Sequence, residues 1–334
     1  MRSIAWSRLA LLPVAVGVFA APTLLGGSGA VYSAAVLIAI FAVMAYGLDV
    51  VVSDLGEVSL AHTVFFAVGS YTAALLSTRA GFGSWATLAA SIATALMFAV
   101  VIGLVTLRLR EFVFSLVTYA VAVVAVTVAS NWSFLGGSDG LRGIPMLDLS
   151  IGSFITLTAR NDRELWPYAF ALLAITLYLV DRFRHSRLGA AAIMTHLNPR
   201  LATMGGTDPA RVRLQVFLFS APISAAAGWL YAYQRAYISA DVLESYFLIL
   251  MLTAVVLMGR RQLLGPLAAT ALVLMQEKFF SLGGNLDKIV LGSVLVVILG
   301  FFPQGLMGVV HPLRRLIRPN ADPPAHSVGA EKPD

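Results

Sequence analysis

The chain has 334 residues, of which 59% are hydrophobic and only 12% are charged. An ordinary soluble domain has about 45–50% apolar and about 25% charged residues, so this composition excludes a soluble globular protein and indicates a polytopic membrane protein. The chain contains no cysteine, which excludes disulfides and thiolate metal sites, and its net charge of +6 does not make nucleic acid an expected partner.

Apolar stretches that are long enough to form membrane-spanning helices recur along the whole chain. They lie near residues 9–25, 31–52, 60–78, 84–107, 112–130, 165–181, 214–234, 245–259, 263–280 and 287–302. The stretch at 60–78 carries several polar residues and the one at 245–259 is short, so each is either a full crossing or a re-entrant or broken helix. We therefore predict an all-α fold, a transmembrane bundle of about 8–10 spans within residues 1–318.

The distribution of basic residues predicts the orientation of the chain. With ten crossings and a cytoplasmic N-terminus, most of the 23 Lys and Arg residues fall in cytoplasmic connections, as the positive-inside rule requires. Both termini are therefore predicted to be cytoplasmic. Alternatively, residues 1–20 are a cleaved signal peptide, which would leave nine spans with the same sidedness. The proline-rich tail at 319–334 is expected to be disordered.

Two long hydrophilic connections remain, at 131–164 on the outward side and at 182–213 on the cytoplasmic side. In the cytoplasmic connection, Asn198-Pro199 is a helix start signal and Gly205-Gly206 is a stop. Asp208-Pro209 repeats the start signal, so a second helix runs from there into the membrane. A short helix between these signals, on the cytoplasmic side, could transmit the movement of a soluble partner to the transmembrane bundle. The candidate coupling residues are Asn198, Pro199, Arg200, Thr203 and Gly206.

Polar side chains inside an apolar stretch are costly where they face lipid, so they tend to face the bundle interior or a transport pathway. The candidates for lining a pathway are Glu57, Ser59, His62, Thr63, Ser70 and Tyr71. The alternative is that they join helices through interhelical hydrogen bonds, which is the preferred interpretation for the lone histidine His62. Asp49, Asp54 and Glu57 are expected to reach water near the end of their span, with contact to a substrate ammonium as a minor role for Glu57.

Small side chains dominate residues 220–228, around Pro222. Such a run is typical of a helix face that allows close backbone approach. We expect it to form an interface, either inside the bundle or against another membrane subunit.

Enzymatic functions are poorly supported. Residues 136–140 match the letters of the G-x-S-x-G nucleophile elbow, but no strand precedes them and no histidine base is expected on that side. The other histidines are scattered, without H-E-x-x-H spacing, so a metal centre is unsupported. None of the lysines stands in a G-K-[ST] context, so the chain has no Walker A phosphate loop and no cofactor is expected in it.

Several motifs in the same order resemble the LivM family, the second permease subunit of branched-chain amino acid ABC importers. The resemblance is carried by Gly56-Glu57-Val58-Ser59-Leu60-Ala61-His62, residues 65–75, residues 136–145, Ser186-Arg187-Leu188-Gly189 with Gly206, Leu263-Leu264-Gly265-Pro266 and residues 302–308. The chain departs from the family pattern at residues 190–196 and at Thr203, where the family has charged residues, and at Glu57 and Ala61, where it has Gln and Gly.

The resemblance implies a permease subunit in the bacterial inner membrane that forms a path for branched-chain amino acids. It also implies the partners: a second related permease, two cytoplasmic ATPase subunits that carry ATP and Mg²⁺, an extracytoplasmic binding protein and membrane lipid. Urea, short amides or another small polar solute are alternative substrates, and an uncoupled membrane scaffold is an alternative role. A secondary transporter is disfavoured because inverted repeats and midplane charges are not found.

Overall fold

The computed structural model describes residues 11–106, 109, 111–150, 157–279, 289–290, 293 and 296–297. The α-helices are α1 (Leu11–Leu24), α2 (Gly29–Asp49), α3 (His62–Arg79), α4 (Ser84–Thr106), α5 (Glu111–Asn131), α6 (Asp162–Arg184), α7 (Arg187–Leu197), α8 (Pro199–Met204), α9 (Pro209–Arg235), α10 (Ser245–Val256) and α11 (Gly265–Phe279). A π-helix, Val50–Leu55, continues α2. Most of the tenth predicted span and the whole predicted disordered tail lie outside the described residues.

Helix starts follow local sequence signals. The side chains of Ser28, Asn161 and Ser186 accept hydrogen bonds from backbone N–H groups in the first turns of α2, α6 and α7. These caps satisfy donors that have no partner inside the helix. Ser186 caps the start of α7, a helix that the sequence analysis did not predict.

Five helices in the described residues are long and apolar enough to cross a membrane, namely α2 with its π-helix, α4, α5, α6 and α9. Each of the first nine predicted apolar stretches contains a helix. The predicted short segment, α10, has 12 residues and is about 18 Å long, which is less than the roughly 30 Å of a bilayer core. The structure therefore shows the predicted helical membrane bundle, with α10 as a short element.

Two helices form the centre of the bundle. α9 packs against α2, α3 and α4, and α2 also packs against α6, α10 and α11. Most residues of α2 and α9 are buried, whereas only a minority of the residues of α4, α5 and α6 are buried. The exposed helices therefore present the faces that lipid or another membrane subunit would cover.

The small-residue run in α9 forms an interface inside the bundle. A Cβ atom at Gly228 would collide with the carbonyl oxygen of Phe66, and a Cβ atom at Gly69 would collide with the carbonyl oxygen of Ala225. The backbones of α3 and α9 therefore touch. The predicted close approach is confirmed, and the interface lies within this chain.

One end of the bundle holds the predicted outward connections. Two short antiparallel ladders join them: β1 (Leu141–Arg142) with β4 (Tyr237–Ile238), and β2 (Leu147–Asp148) with β3 (Thr158–Ala159). The guanidinium of Arg79 lies 4.7 Å from the ring centroid of Phe134. These contacts bring together connections that the sequence analysis placed on the same side.

At this end of the bundle, short polar bonds hold the end of β2. Ser150 donates its hydroxyl to Oδ1 of Asp148 at 2.5 Å, and its backbone N–H donates to the same oxygen at 2.9 Å. Both bonds favour the ionised carboxylate and lower the pKa of Asp148.

Candidate functional site

The opposite end of the bundle, the predicted cytoplasmic one, contains a cluster of charged side chains, in which those of Asp49, Asp54 and Arg184 are buried and that of Arg261 is exposed. Nη2 of Arg184 lies 2.6 Å from Oδ2 of Asp49, and Nε of Arg184 lies 3.2 Å from Oδ2 of Asp54. Nη1 of Arg261 lies 3.4 Å from Oδ1 of Asp54, and Ser53 donates a 2.5 Å hydrogen bond to Asp49. We call Asp49, Asp54, Arg184 and Arg261 the ion-pair cluster.

A second ion pair lies beside this cluster. Nη2 of Arg213 is 2.7 Å from Oε1 of Glu57, and both side chains are largely buried. Arg213 also donates from Nη1 to the carbonyl oxygen of Leu109, at 3.2 Å. The pair borders a small cavity of about 10 Å³, which is space for about one water molecule. Its other lining residues are mostly apolar: Leu55, Gly103, Thr106, Phe114, Leu214 and Phe217.

The expectation that the three acidic residues are solvated is wrong. Asp49, Asp54 and Glu57 are 1%, 0% and 5% exposed. Arginines from α6, α9 and the 257–264 connection reach them, and a buried carboxylate persists only where such partners compensate its lost hydration. The prediction considered only the distance of each residue from the end of its own helix.

His62 lies at the start of α3 and joins two segments by hydrogen bonds. Its Nδ1 is 3.0 Å from the hydroxyl of Ser59, and its Nε2 is 3.1 Å from the hydroxyl of Ser220 on α9. Ser220 donates its own proton to the carbonyl oxygen of Phe217, so we assign the imidazole proton to Nε2 and the acceptor role to Nδ1. His62 is fully buried, and this arrangement gives each of its two ring nitrogens a hydrogen-bond partner.

The remaining pathway candidates lie along α3, packed inside the bundle. Ser70 donates to the carbonyl oxygens of Phe66 and Ala67 in its own helix, and Thr63 donates to that of Leu60. The Tyr71 hydroxyl is buried without a hydrogen-bond partner. Of the six candidates, Glu57 borders the cavity described above, while the other five are buried in the bundle.

The predicted coupling residues form a bounded helix as expected. Oδ1 of Asn198 accepts hydrogen bonds from the N–H groups of Arg200 and Leu201, each at 3.1 Å, and α8 follows from Pro199. Gly206 has a φ of +80° and ends the turn after α8. Asp208 then caps α9. The side chains of Arg200 and Thr203 are exposed.

Helices α7 and α8 present large apolar side chains to the outside. Met194, Leu197, Leu201 and Met204 are 50%, 76%, 63% and 83% exposed. Met194 and Leu197 share a face of α7, and Leu201 and Met204 share a face of α8, because the members of each pair are three residues apart within one helix. We call these four residues the apolar row. On its other side, α7 buries Gly189, Ala192 and Thr195 and packs against the π-helix.

Sequence reasoning missed the ion-pair cluster because its members come from distant parts of the chain. A local signal did exist for α7, in the capping Ser186 and the alanines that follow it. For the cluster, the sequence shows acidic and basic residues near helix ends, but it does not show which acidic residue pairs with which arginine. Among the described residues, no group of three or more His, Asp or Glu side chains could hold a metal ion.

The helical bundle and its apolar outer helices define an integral membrane protein, in which the short helices α7 and α8 lie beside the ion-pair cluster. The chain belongs to the family described as branched-chain amino acid transport system / permease component, whose model matches residues 30–299.

Two relatives are similar over most of the chain. The high-affinity branched-chain amino acid transport system permease protein LivM of Escherichia coli (strain K12) is 27% identical over 302 residues, which cover 84% of this chain and 71% of that protein. The protein of the same name from Salmonella typhimurium is 26% identical over 296 residues, covering 83% and 70%. No solved structure gives a significant match.

Proposed function

We propose that this chain is the permease subunit of an ABC importer and that it forms part of the membrane path for branched-chain amino acids. The observation that carries the proposal is the family match over residues 30–299. The names of both LivM relatives specify branched-chain amino acid transport, and no observation favours urea or amides as the substrate.

In this proposal, the ATPase subunits are separate chains, and they contact α7 and α8. The apolar row supports this assignment because four large apolar side chains are exposed within eleven consecutive residues, and a concentration of exposed apolar side chains is typical of a protein interaction site. The segment is also held firmly, since α7 packs against the π-helix and α9. The ATPases would carry ATP and Mg²⁺, and this chain would receive their movement.

The loss of charged residues from this segment does not remove its capacity for contact. Residues 190–196 bury Ala192 and Thr195 and expose Met194. An apolar contact therefore replaces the charged one that the family pattern supplies. We infer that the cognate ATPase has an apolar groove in this place.

We assign the substrate path to the buried face between α3 and α9. Its polar groups are Ser59, His62, Thr63, Ser70 and Tyr71, with Glu57 at the charged end. The Tyr71 hydroxyl has a free hydrogen-bonding capacity that a polar solute could use. The close contact of α3 with α9 corresponds to a closed path, so transport requires these two helices to separate.

The other partners follow from the same proposal. A second related permease would cover the exposed outer helices together with lipid, and an extracytoplasmic binding protein would dock on the 131–164 connection. The membrane is the bacterial inner membrane, with both termini in the cytoplasm.

The test is purification of the tagged chain from its native membrane in mild detergent, followed by mass spectrometry and reconstitution with the binding protein. We expect P-loop ATPases to accompany the chain and the vesicles to take up leucine with ATP. Leu201→Asp should greatly reduce ATPase recovery, because a carboxylate replaces an apolar contact. Val128→Asp changes an exposed position on α5, on the surface that we assign to the second permease. It therefore tests the contact with that permease and not the contact with the ATPases.

Three results would contradict the proposal. Recovery of the intact chain without an ATPase would support a scaffold. ATP-driven uptake of urea in place of leucine would assign another substrate. Unchanged ATPase recovery by the Leu201→Asp chain would remove the apolar row from the contact.

A further inference from the structure

Arg184 connects the cytoplasmic segment to the end of the long central helix α2. It is the last residue of α6, and α7 begins at Arg187, directly after the capping Ser186. Its guanidinium binds Asp49 through Nη2 and Asp54 through Nε. One side chain at the entrance of α7 thus holds two carboxylates at the end of α2.

The π-helix makes this double contact possible. Asp49 and Asp54 are five residues apart, and in an α-helix such residues point roughly 140° apart around the axis. A π-helix closes one turn over about this interval, so both carboxylates face the same guanidinium. Arg261 approaches the other oxygen of Asp54, which leaves the cluster with two carboxylates and two guanidinium groups.

A second contact holds the far end of α7 to the same place. The imidazole of His196, in the last turn of α7, lies against the backbone of Gly56, immediately after the π-helix. The segment from Gly56 then leads to His62 and α3. Helix α7 is therefore attached at both ends to the chain that continues into α3.

We propose that Arg184 is a positioning residue for coupling, which makes α7, the π-helix and the start of α3 move as one body. The proposal rests on the proposed function, since it presumes that an ATPase moves α7 and α8. Movement of α7 is passed through Arg184 to Asp49 and Asp54, and from there through the 56–61 connection to His62. It thereby separates α3 from α9.

The most specific variant is Arg184→Lys, tested in the complete importer complex. Lysine keeps the positive charge but offers a single ammonium in place of a planar fork, so it cannot hold both carboxylates in the same geometry. Arg182→Lys is the matched control, because Arg182 is exposed on the same turn of α6. The readout is leucine taken up per ATP hydrolysed in proteoliposomes.

We expect the Arg184→Lys complex to retain its ATPase subunits and ATP hydrolysis while leucine uptake per ATP falls by about fivefold or more, the range of a typical coupling energy. The Arg182→Lys complex should keep the wild-type ratio. A wild-type ratio in Arg184→Lys would overturn the proposal, as would a parallel loss of hydrolysis and uptake, which indicates a merely structural role.

A measurement on the unmodified complex covers the case in which the variant does not fold. Hydrogen exchange is compared with and without ATP and vanadate, which traps the ATPases. We expect residues 187–197 and 50–61 to change exchange together, and a change confined to either range would overturn the proposal. Failure of the proposed function is seen separately, as a wild-type complex that lacks an ATPase or leucine uptake.

Discussion

The imidazole ring of His196 occupies the space that a Cβ atom on Gly56 would need, with Nδ1 as the nearest atom. Gly56 also has a φ of +74°, in the left-handed region that residues with a Cβ adopt only at a cost of about 1–2 kcal/mol. Two independent constraints, one of backbone geometry and one of packing, therefore require glycine at this position.

We expect Gly56→Ala to lower the stability of the folded chain markedly, because it adds backbone strain and a collision with His196. The double variant Gly56→Ala with His196→Ala should recover part of the loss, since it removes the collision but keeps the strain. The measurement is thermal unfolding of the purified protein in detergent. Gly83→Ala is the control, because its Cβ would meet no atom within 4 Å. Equal melting temperatures for Gly56→Ala and Gly83→Ala would refute the two constraints.

Gly228→Ala tests the contact between α3 and α9. Replacing glycine by alanine inside a helix normally favours the helix by about 1 kcal/mol, but here the new methyl group would meet the carbonyl oxygen of Phe66. We therefore expect a reduced yield of folded protein and a lower melting temperature. Gly17→Ala, inside α1 and with nothing within 4 Å of its Cβ, should be neutral or stabilising. An equal lowering of the melting temperature by Gly228→Ala and Gly17→Ala would show that the backbones of α3 and α9 are not in contact.

Ser220→Ala would leave the Nε2–H group of His62 buried without its acceptor. An unsatisfied buried donor costs about 1–3 kcal/mol, so the variant should be destabilised by about this amount. Ser77→Ala is a matched control, since Ser77 is also buried but bonds only within its own helix. Denaturant titration of both variants gives the difference. Equal losses would show that the interhelical bond of His62 contributes little.

Asn198→Ala removes the cap of α8, and the loss of such a cap costs about 1 kcal/mol. Because α8 is only six residues long, we expect this cost to disorder it and to weaken ATPase recovery several-fold. Asn198→Asp preserves the capping oxygen and should retain ATPase recovery. Recovery is measured by quantitative mass spectrometry of the purified complex, and equal recovery for both variants would mean that the order of α8 is unimportant.

Local signals made α8 and the start of α9 predictable. Asn198, Gly206 and Asp208 act on neighbouring backbone groups, so their positions in the sequence sufficed to place α8 and the start of α9. The small residues of α9 were equally informative, because only a close helix contact demands them. The same reasoning could have found α7, whose start is marked by Ser186.

The ion-pair cluster could not be predicted in the same way. Arg184 and Asp49 lie 135 residues apart, and nothing in the sequence near either one specifies the other. The π-helix that aligns Asp49 with Asp54 also has no distinctive composition, since it is selected by the contacts it makes. His62 shows an intermediate case, in which the interhelical role was expected but its partner, Ser220, was not.

The ladder between β1 and β4 has a mechanical consequence for the bundle. It ties the connection after α5 directly to the end of α9, through Leu141 with Ile238 and Arg142 with Tyr237. Because α9 ends at Arg235 and β4 begins at Tyr237, this end of α9 cannot move along its axis without carrying β1 with it or breaking the ladder. Within the described part of the chain, the opposite end of α9 has no such ladder, so a tilt of α9 about the fastened end gives the largest displacement to the end where α8 precedes it.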